Sequence, residues 1–215
     1  MTIAREGLPV IFSVMFIAAV LLGVGYGISN FILTTLGYIS AAIAILCFFF
    51  FREPRFEAVC EDGQILSTAD GTVIVVDDAV PENLDGYSTR VSIFLSIFDV
   101  HVNRIPADGK IESVKFLPGK CYSAFKPKAS TENQRSEIDL ITPHGRIHFR
   151  QIAGSVARRV VFDLEPGREV VAGKRFGVMR FGSRMDHFFP ANVNVLVKKG
   201  DKVKGGKTVI GEFRR

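Results

Sequence analysis

Hydrophobic and polar positions divide the chain into two parts. From Gly7 to Phe51 no residue is charged. Within that segment Leu8–Tyr26 and Phe31–Phe51 are each about 20 residues long, enough to cross the hydrocarbon of a bilayer as a helix. Gly27-Ile28-Ser29-Asn30 between them has turn composition. The pattern predicts a helical hairpin with both ends on one side, in residues 1–51. Glycines at 23, 25, 27 and 37 weaken these helices, so insertion into one leaflet stays open beside full spanning. The apolar stretch is too long for a secretory signal, and no small-residue cleavage site follows a short apolar region.

After Arg52 the pattern changes to short β-branched runs separated by Gly, Pro and Asp. Gly71–Val76, Thr89–Leu95, Gly109–Val114, Gly145–Arg150 and Val193–Val197 are examples. Arg146, His148 and Arg150 alternate with Ile147 and Phe149, the period-2 signature of a half-buried strand. No long helical period appears; Phe94–Val100 reads as either a short helix or a strand. Two weak repeats stand out. Ser67-Thr-Ala-Asp-Gly71 is similar to Ile105-Pro-Ala-Asp-Gly109, and Glu165–Gly173 is similar to the run ending Lys199–Gly206. The Gly-Asp-x-Val-x-x-Gly pattern suits barrel-sandwich folds. The prediction for 52–215 is a mainly β, antiparallel, barrel-sandwich-like domain. A swinging-arm carrier is disfavoured, because no Met-Lys-Met is displayed at a hairpin.

Charge and cysteine content narrow the function. All ionised groups except Arg5 and Glu6 follow Phe51, and the net charge is +5. That bias suits an anionic membrane surface or a phosphate-bearing ligand. Without a basic run or stripe it does not argue for nucleic acid. Arg5, Arg52 and Arg55 flank the hairpin and place both of its ends, and the following domain, on the cytoplasmic side of the cell membrane. Cys47, Cys60 and Cys121 form no CxxC or Cys/His cluster, so neither a disulfide framework nor a metal site is indicated.

Three segments carry a more specific signal. Phe50-Phe-Arg-Glu-Pro-Arg55 leads into Leu66-Ser-Thr-Ala-Asp-Gly71. Leu95-Ser-Ile-Phe-Asp-Val-His-Val-Asn-Arg-Ile-Pro-Ala-Asp-Gly109 follows, and then Gly173-Lys-Arg-Phe-Gly-Val-Met-Arg-Phe-Gly-Ser-Arg-Met-Asp186. In this order they resemble the phosphatidylserine decarboxylase proenzymes, in the short membrane-anchored form. Gln151–Arg159 is similar to that family as well, and the resemblance runs from the hairpin to the C-terminus.

The resemblance implies a pyruvoyl-dependent carboxy-lyase that converts a serine phospholipid, phosphatidylserine, to phosphatidylethanolamine and CO2. Decarboxylating an amino acid leaves a carbanion that no natural side chain accepts, so an electrophilic cofactor is needed. The family makes one by self-cleavage at a Gly-Ser bond, here Gly182-Ser183. Ser183 Oγ attacks the Gly182 carbonyl, where the missing Cβ leaves the approach open. The ester eliminates, and the residue that was Ser183 becomes the pyruvoyl group, whose ketone forms a Schiff base with the substrate amine. A large chain ending at Gly182 and a small chain 183–215 then form a heterodimer. Gly154-Ser155 is a second Gly-Ser but lacks the flanking motif.

His101 matches the family histidine tied to decarboxylation, and Asp70 the aspartate that orients the maturation base. The longer bacterial forms carry a second histidine three residues after the first. This chain has Arg104 there, so the identity of the maturation base stays open. Asp70 is also readable as a plain Asp-Gly turn, like Asp108. His144, His148 and His187 read as surface or strand residues, His187 lying near the cut. Arg52, Arg55, Arg104, Arg135, Arg158 and Arg159 are candidates for the substrate phosphate. Two other readings share these features: a pyruvoyl decarboxylase of a soluble amino acid, and a membrane-tethered β-barrel binding or scaffold module without catalysis. Ser183 separates the enzyme from the module, since only the enzyme becomes two chains.

Overall fold

The structure is a computed structural model that describes residues 1–82, 84–126, 128–155, 160–179 and 183–214. Gly182, Arg158 and Arg159 therefore lie outside the described residues. The chain forms two compact units, Met1–Arg55 and Phe56–Arg215.

In the first unit, α1 (Leu8–Gly27) and α2 (Phe31–Phe50) are antiparallel helices joined by a tight turn. Asn30 caps α2, its side-chain oxygen accepting from the Leu33 N–H at 3.1 Å. Gly25 and Gly37 do not interrupt the helices. A side chain at Gly25 would collide with Thr34, and one at Gly37 with Leu22, so these glycines let the helices approach closely. Large apolar side chains such as Phe12, Ile17, Ile32 and Leu46 point outward, a surface that suits lipid rather than water. Strands β1 (Thr2–Ile3) and β2 (Arg52–Glu53) pair across the base of the hairpin.

The second unit is antiparallel β-sheet. Its strands are β3 (Gln64–Leu66), β4 (Gly71–Asp77), β5 (Thr89–Leu95), β6 (Val102–Arg104), β7 (Gly109–Leu117), β8 (Arg135–Thr142), β9 (Gly145–Ile152), β10 (Val160–Phe162), β11 (Glu169–Val170), β12 (Arg175–Met179), β13 (Ser183–Phe189), β14 (Val193–Val195), β15 (Lys202–Val203) and β16 (Val209–Phe213). A single-turn helix, α3 (Ala129–Glu132), precedes β8. The Phe94–Val100 segment is not a helix: β5 runs to Leu95 and a turn follows.

The sheet order reveals an internal duplication. The eight-stranded sheet reads β11-β7-β8-β9-β13-β5-β4-β15, and two three-stranded sheets read β10-β12-β6 and β14-β16-β3. Each strand of one half has a counterpart in the other: β3 with β6, β4 with β7, β5 with β8, β13 with β9, β14 with β10, β15 with β11 and β16 with β12. The irregularities match too. The β4/β5 pair shifts register between Val73 and Val75, and the β7/β8 pair shifts between Ile111 and Ser113. The β16/β3 pair shifts between Val209 and Gly211, and the β12/β6 pair between Arg175 and Gly177. Where the halves meet, the bonds are reciprocal. The Leu66 N–H donates to Pro106 O at 2.7 Å and the Arg104 N–H to Thr68 O at 2.9 Å. The sequence repeats are the trace of this symmetry. Gly167 and Gly200, and likewise Gly173 and Gly206, hold positive φ at matching turns.

Connectivity breaks the symmetry. One half is continuous, Val102–Met179. The other is split into Gln64–Leu95 and Ser183–Phe213, with the continuous half inserted between them. Leu95 and Ser183 remain paired, as Thr142 and Gly145 do at the matching hairpin of the continuous half. The ends of the inserted half also lie side by side, Val102 pairing with Val178. The apolar faces of the sheets meet in one core that includes Ile65, Ile93, Phe149, Phe176, Met185 and Ile210.

Candidate active site

Ser183 opens β13 at the point where the two halves are stitched together. Alternation along the strand turns Ser183, Met185, His187 and Phe189 toward the core, and Arg184, Asp186 and Phe188 the other way. The far face is a network of ion pairs and polar bonds. Arg184 donates to Asp186 and to Ser92 Oγ, Ser130 Oγ donates to Asp186, and Arg150 pairs with Glu137 at 2.9 Å. With β5 on one side and β9 on the other, β13 is fixed in register. Ser183 itself is 0% exposed, and its Oγ has no hydrogen-bond partner among the described residues.

His101 sits in the first connection between the halves. The preceding turn is closed by Asp99, whose carboxylate accepts from the Ser96 N–H at 2.8 Å and from Ser96 Oγ at 2.7 Å. The buried His101 ring bonds the Asp99 carbonyl through Nδ1 at 2.9 Å. A carbonyl only accepts, so Nδ1 carries the proton and Nε2 is the nitrogen whose protonation can change. The His101 carbonyl accepts the Met179 N–H at 3.0 Å. The histidine backbone is thereby tied to the last described residue before the Gly182-Ser183 bond.

Arg104 donates to Gly173 O at 2.9 Å and stacks its guanidinium over Phe56, 4.5 Å from the ring centre. A guanidinium holds its proton, so Arg104 cannot take the role of a histidine base. Asp70 Oδ1 accepts the Gly205 N–H at 2.8 Å.

His187 is wholly buried rather than a surface residue. Its Nε2 and Thr68 Oγ1 are 2.9 Å apart, while Nδ1 has no well-formed hydrogen bond. Burial pushes its pKa down to about 4, outweighing the opposite pull of Asp186 and the Val91 backbone. It is therefore neutral at physiological pH. From Ser183 to His187 along a strand is about 13 Å, too far for His187 to take the Ser183 proton directly.

The sequence reading missed a buried polar chain through the core. Ser136 Oγ donates to Gln151 Oε1 at 2.7 Å, and Gln151 Nε2 donates to Asn103 Oδ1 at 2.8 Å. Asn103 Nδ2 has no partner. Together with Ser183 Oγ and His187 Nδ1 it completes the unpaired buried side-chain atoms among the described residues. Such atoms cost stability, so each calls for a reason to be there. Asn103 lies in the His101 motif, and Gln151 pairs with Met185, two residues from Ser183. Polar residues at inward positions of otherwise apolar strands were the available signal.

Arg135 bonds Glu137 and Thr131 O, and Arg52 bonds Phe49 O. Among the described residues no group of His, Cys, Asp and Glu is placed to hold a metal ion. Cys60 is partly buried, and burial, with Asp108 nearby, pushes its thiol up to about 11, which makes it unreactive.

Comparison with known proteins gives the chain its relatives. The sequence profile of the family described as phosphatidylserine decarboxylase matches residues 43–211. The phosphatidylserine decarboxylase proenzyme of Rickettsia africae is 45% identical over 186 residues, covering 84% of this chain and 80% of its own length. The proenzyme of Rickettsia conorii matches to the same extent, and that of Rickettsia bellii is 45% identical with 79% of its length covered. The chain belongs to the phosphatidylserine decarboxylase family.

Proposed function

We propose that this decarboxylase of phosphatidylserine matures by cutting its own chain at Gly182-Ser183, and that Ser183 supplies a covalent pyruvoyl group. The observation that carries the reading is the buried Ser183 Oγ at the seam between the halves, without a hydrogen-bond partner among the described residues. A hydroxyl kept dry and unbonded is held for a reaction rather than for stability. In the cut, Ser183 Oγ adds to the Gly182 carbonyl and the peptide nitrogen leaves, giving an ester. Removal of the Ser183 Cα proton expels the Gly182 carboxylate and leaves dehydroalanine. Water then replaces the nitrogen, and ammonia departs.

The pyruvoyl group supplies the carbonyl electron sink that decarboxylation of an amino-acid headgroup requires. His101 delivers the proton to the substrate Cα from Nε2, its ring held by the Asp99 carbonyl. Asp70, held at the start of β4 by the Gly205 N–H, orients the maturation machinery. The burial of Ser183, Met185 and Phe189 excludes water from this face. In this reading residues 1–51 anchor the enzyme in the cell membrane, with the domain 52–215 on the cytoplasmic side, and the two chains stay together as a heterodimer.

Intact mass spectrometry tests the reading. Two chains divided between Gly182 and Ser183, the small one lacking ammonia and blocked at its N-terminus, is the expected result. A single chain of 23.7 kDa that still decarboxylates phosphatidylserine overturns it.

A further inference from the structure

The end of the large sheet that carries Ser183 is unusually apolar on its outer surface. The turn after β5 exposes Ile97 (54%) and Phe98 (66%), and Phe125 is 64% exposed nearby. Phe125 packs edge-on against Phe94, 5.7 Å between ring centres. Phe94 is the strand partner of Arg184 and of Thr72, one residue from the Ser183–Leu95 pair. Beside Phe125 lies a shallow groove of about 490 Å³, lined by Thr72, Ile74, Val75, Phe125, Lys126 and Lys199 among others. None of its lining residues is acidic. Lys202 pairs with Thr72 at the same edge. Asp99, the acid within the apolar turn, is bonded to Ser96.

We propose that this surface is a bilayer-docking face of the decarboxylase domain. Ile97, Phe98 and Phe125 enter the interfacial region, and Lys126, Lys199 and Lys202 lie on anionic headgroups. The proposal rests on the lipid-decarboxylase reading and names how that site meets its substrate. An apolar centre with a lysine rim and no acid in the groove fits an anionic lipid surface. Phosphatidylserine carries one net negative charge, and its acyl chains stay in the membrane, so the reacting headgroup must be met there. The face is separate from the helical hairpin in sequence and does a different task. The hairpin retains the protein, whereas this face sets where the site sits on the bilayer.

The chain contains no tryptophan, so single substitutions report position cleanly. Phe98→Trp, Phe125→Trp and, as a control, Leu196→Trp would be made in the full chain and reconstituted in vesicles of phosphatidylcholine and phosphatidylglycerol. Blue-shifted emission and quenching by brominated lipid at positions 98 and 125, but not at 196, is the expected result. Equal, unquenched spectra at all three positions overturn the proposal, including in favour of a protein partner. This readout does not depend on self-cleavage or turnover, so it stands apart from any failure of the enzymatic reading. In a second arm, Lys126→Glu/Lys199→Glu is expected to lower turnover of bilayer phosphatidylserine about tenfold. Turnover of a short-chain, monomeric phosphatidylserine should be unchanged. An equal loss on both substrates, or a loss on neither, overturns the role of the lysines.

Discussion

Asp70 and Asp108 make the same hydrogen bond at matching points of the duplicated fold. Asp70 Oδ1 accepts the Gly205 N–H at 2.8 Å, and Asp108 Oδ1 accepts the Ala172 N–H at 2.7 Å. Each follows an Ala in the motif Ala-Asp-Gly, and each fastens the turn that begins a strand, β4 or β7. One aspartate therefore supplies an internal control for the other.

That control makes the proposed role of Asp70 testable. Asn keeps the accepting oxygen but loses the charge, so Asp70→Asn and Asp108→Asn should each preserve the turn. Stability should change by no more than about 1 kcal/mol in either. If the Asp70 charge orients maturation, Asp70→Asn slows chain splitting by about a hundredfold, in the range of lost acid–base assistance. Asp108→Asn splits at the wild-type rate. A time course of the two chains on a denaturing gel reads both. Equal rates would reduce Asp70 to a turn residue.

Ser183→Ala should remain one chain and lose activity, while folding at least as well as the wild type. The hydroxyl it removes has no partner among the described residues, so its loss removes a desolvation cost of about 1 kcal/mol rather than a bond. Thermal unfolding of the uncut variant should show an unchanged or raised Tm relative to the uncut precursor. A strongly lowered Tm would mean that Oγ is bonded in solution, and would remove the observation on which the proposed chemistry rests.

Much of this architecture was legible in the sequence. The uncharged run ahead of Arg52 became α1 and α2, and the β-branched runs became the strands. The two weak repeats proved to be the turns of the duplication. Ser183 and His101 are proposed as site residues on their motifs, and the structure buries both. The polar chain of Ser136, Gln151 and Asn103 was not legible, because each residue belongs to a different strand and only pairing brings them together. His187 read as a strand or surface residue; it lies on a strand, but its burial was hidden for the same reason. Period-2 alternation gives the face a residue occupies. It does not tell which face is covered once two sheets close over it.

The buried neutral His187 makes stability depend on pH. Its pKa is about 4 in the folded protein, against about 6.5 for an unperturbed histidine. Between those values the unfolded chain binds the extra proton, so stability is full above the unfolded value and falls as pH drops toward 4. The loss from this residue amounts to about 3 kcal/mol at pH 4. In the uncut Ser183→Ala background, His187→Gln should flatten this part of the curve. It should not stop splitting when Ser183 is present, because His187 lies too far along β13. Urea unfolding at stepped pH checks the first point. An unchanged pH slope in the variant would show that another group titrates.

Cutting between Gly182 and Ser183 should not release the small chain. Beyond the cut, β13 pairs with β5 and with β9, β15 with β4, and β16 with β3. β13 is the central strand that joins the two halves of the large sheet, and its Met185 and Phe189 are buried in the shared core. The bond that the proposed cut would break is one of two connections between the halves; the other, through His101, would stay intact. The two chains should therefore co-purify in mild detergent and separate only in denaturant. Removing Gln151 should loosen them without touching either connection. Gln151→Leu strands Ser136 Oγ and Asn103 Oδ1 in the core, at a cost of about 2–3 kcal/mol. The midpoint at which urea separates the chains should fall accordingly. Release of the small chain from the wild type without denaturant would show that the sheet pairing does not survive the cut.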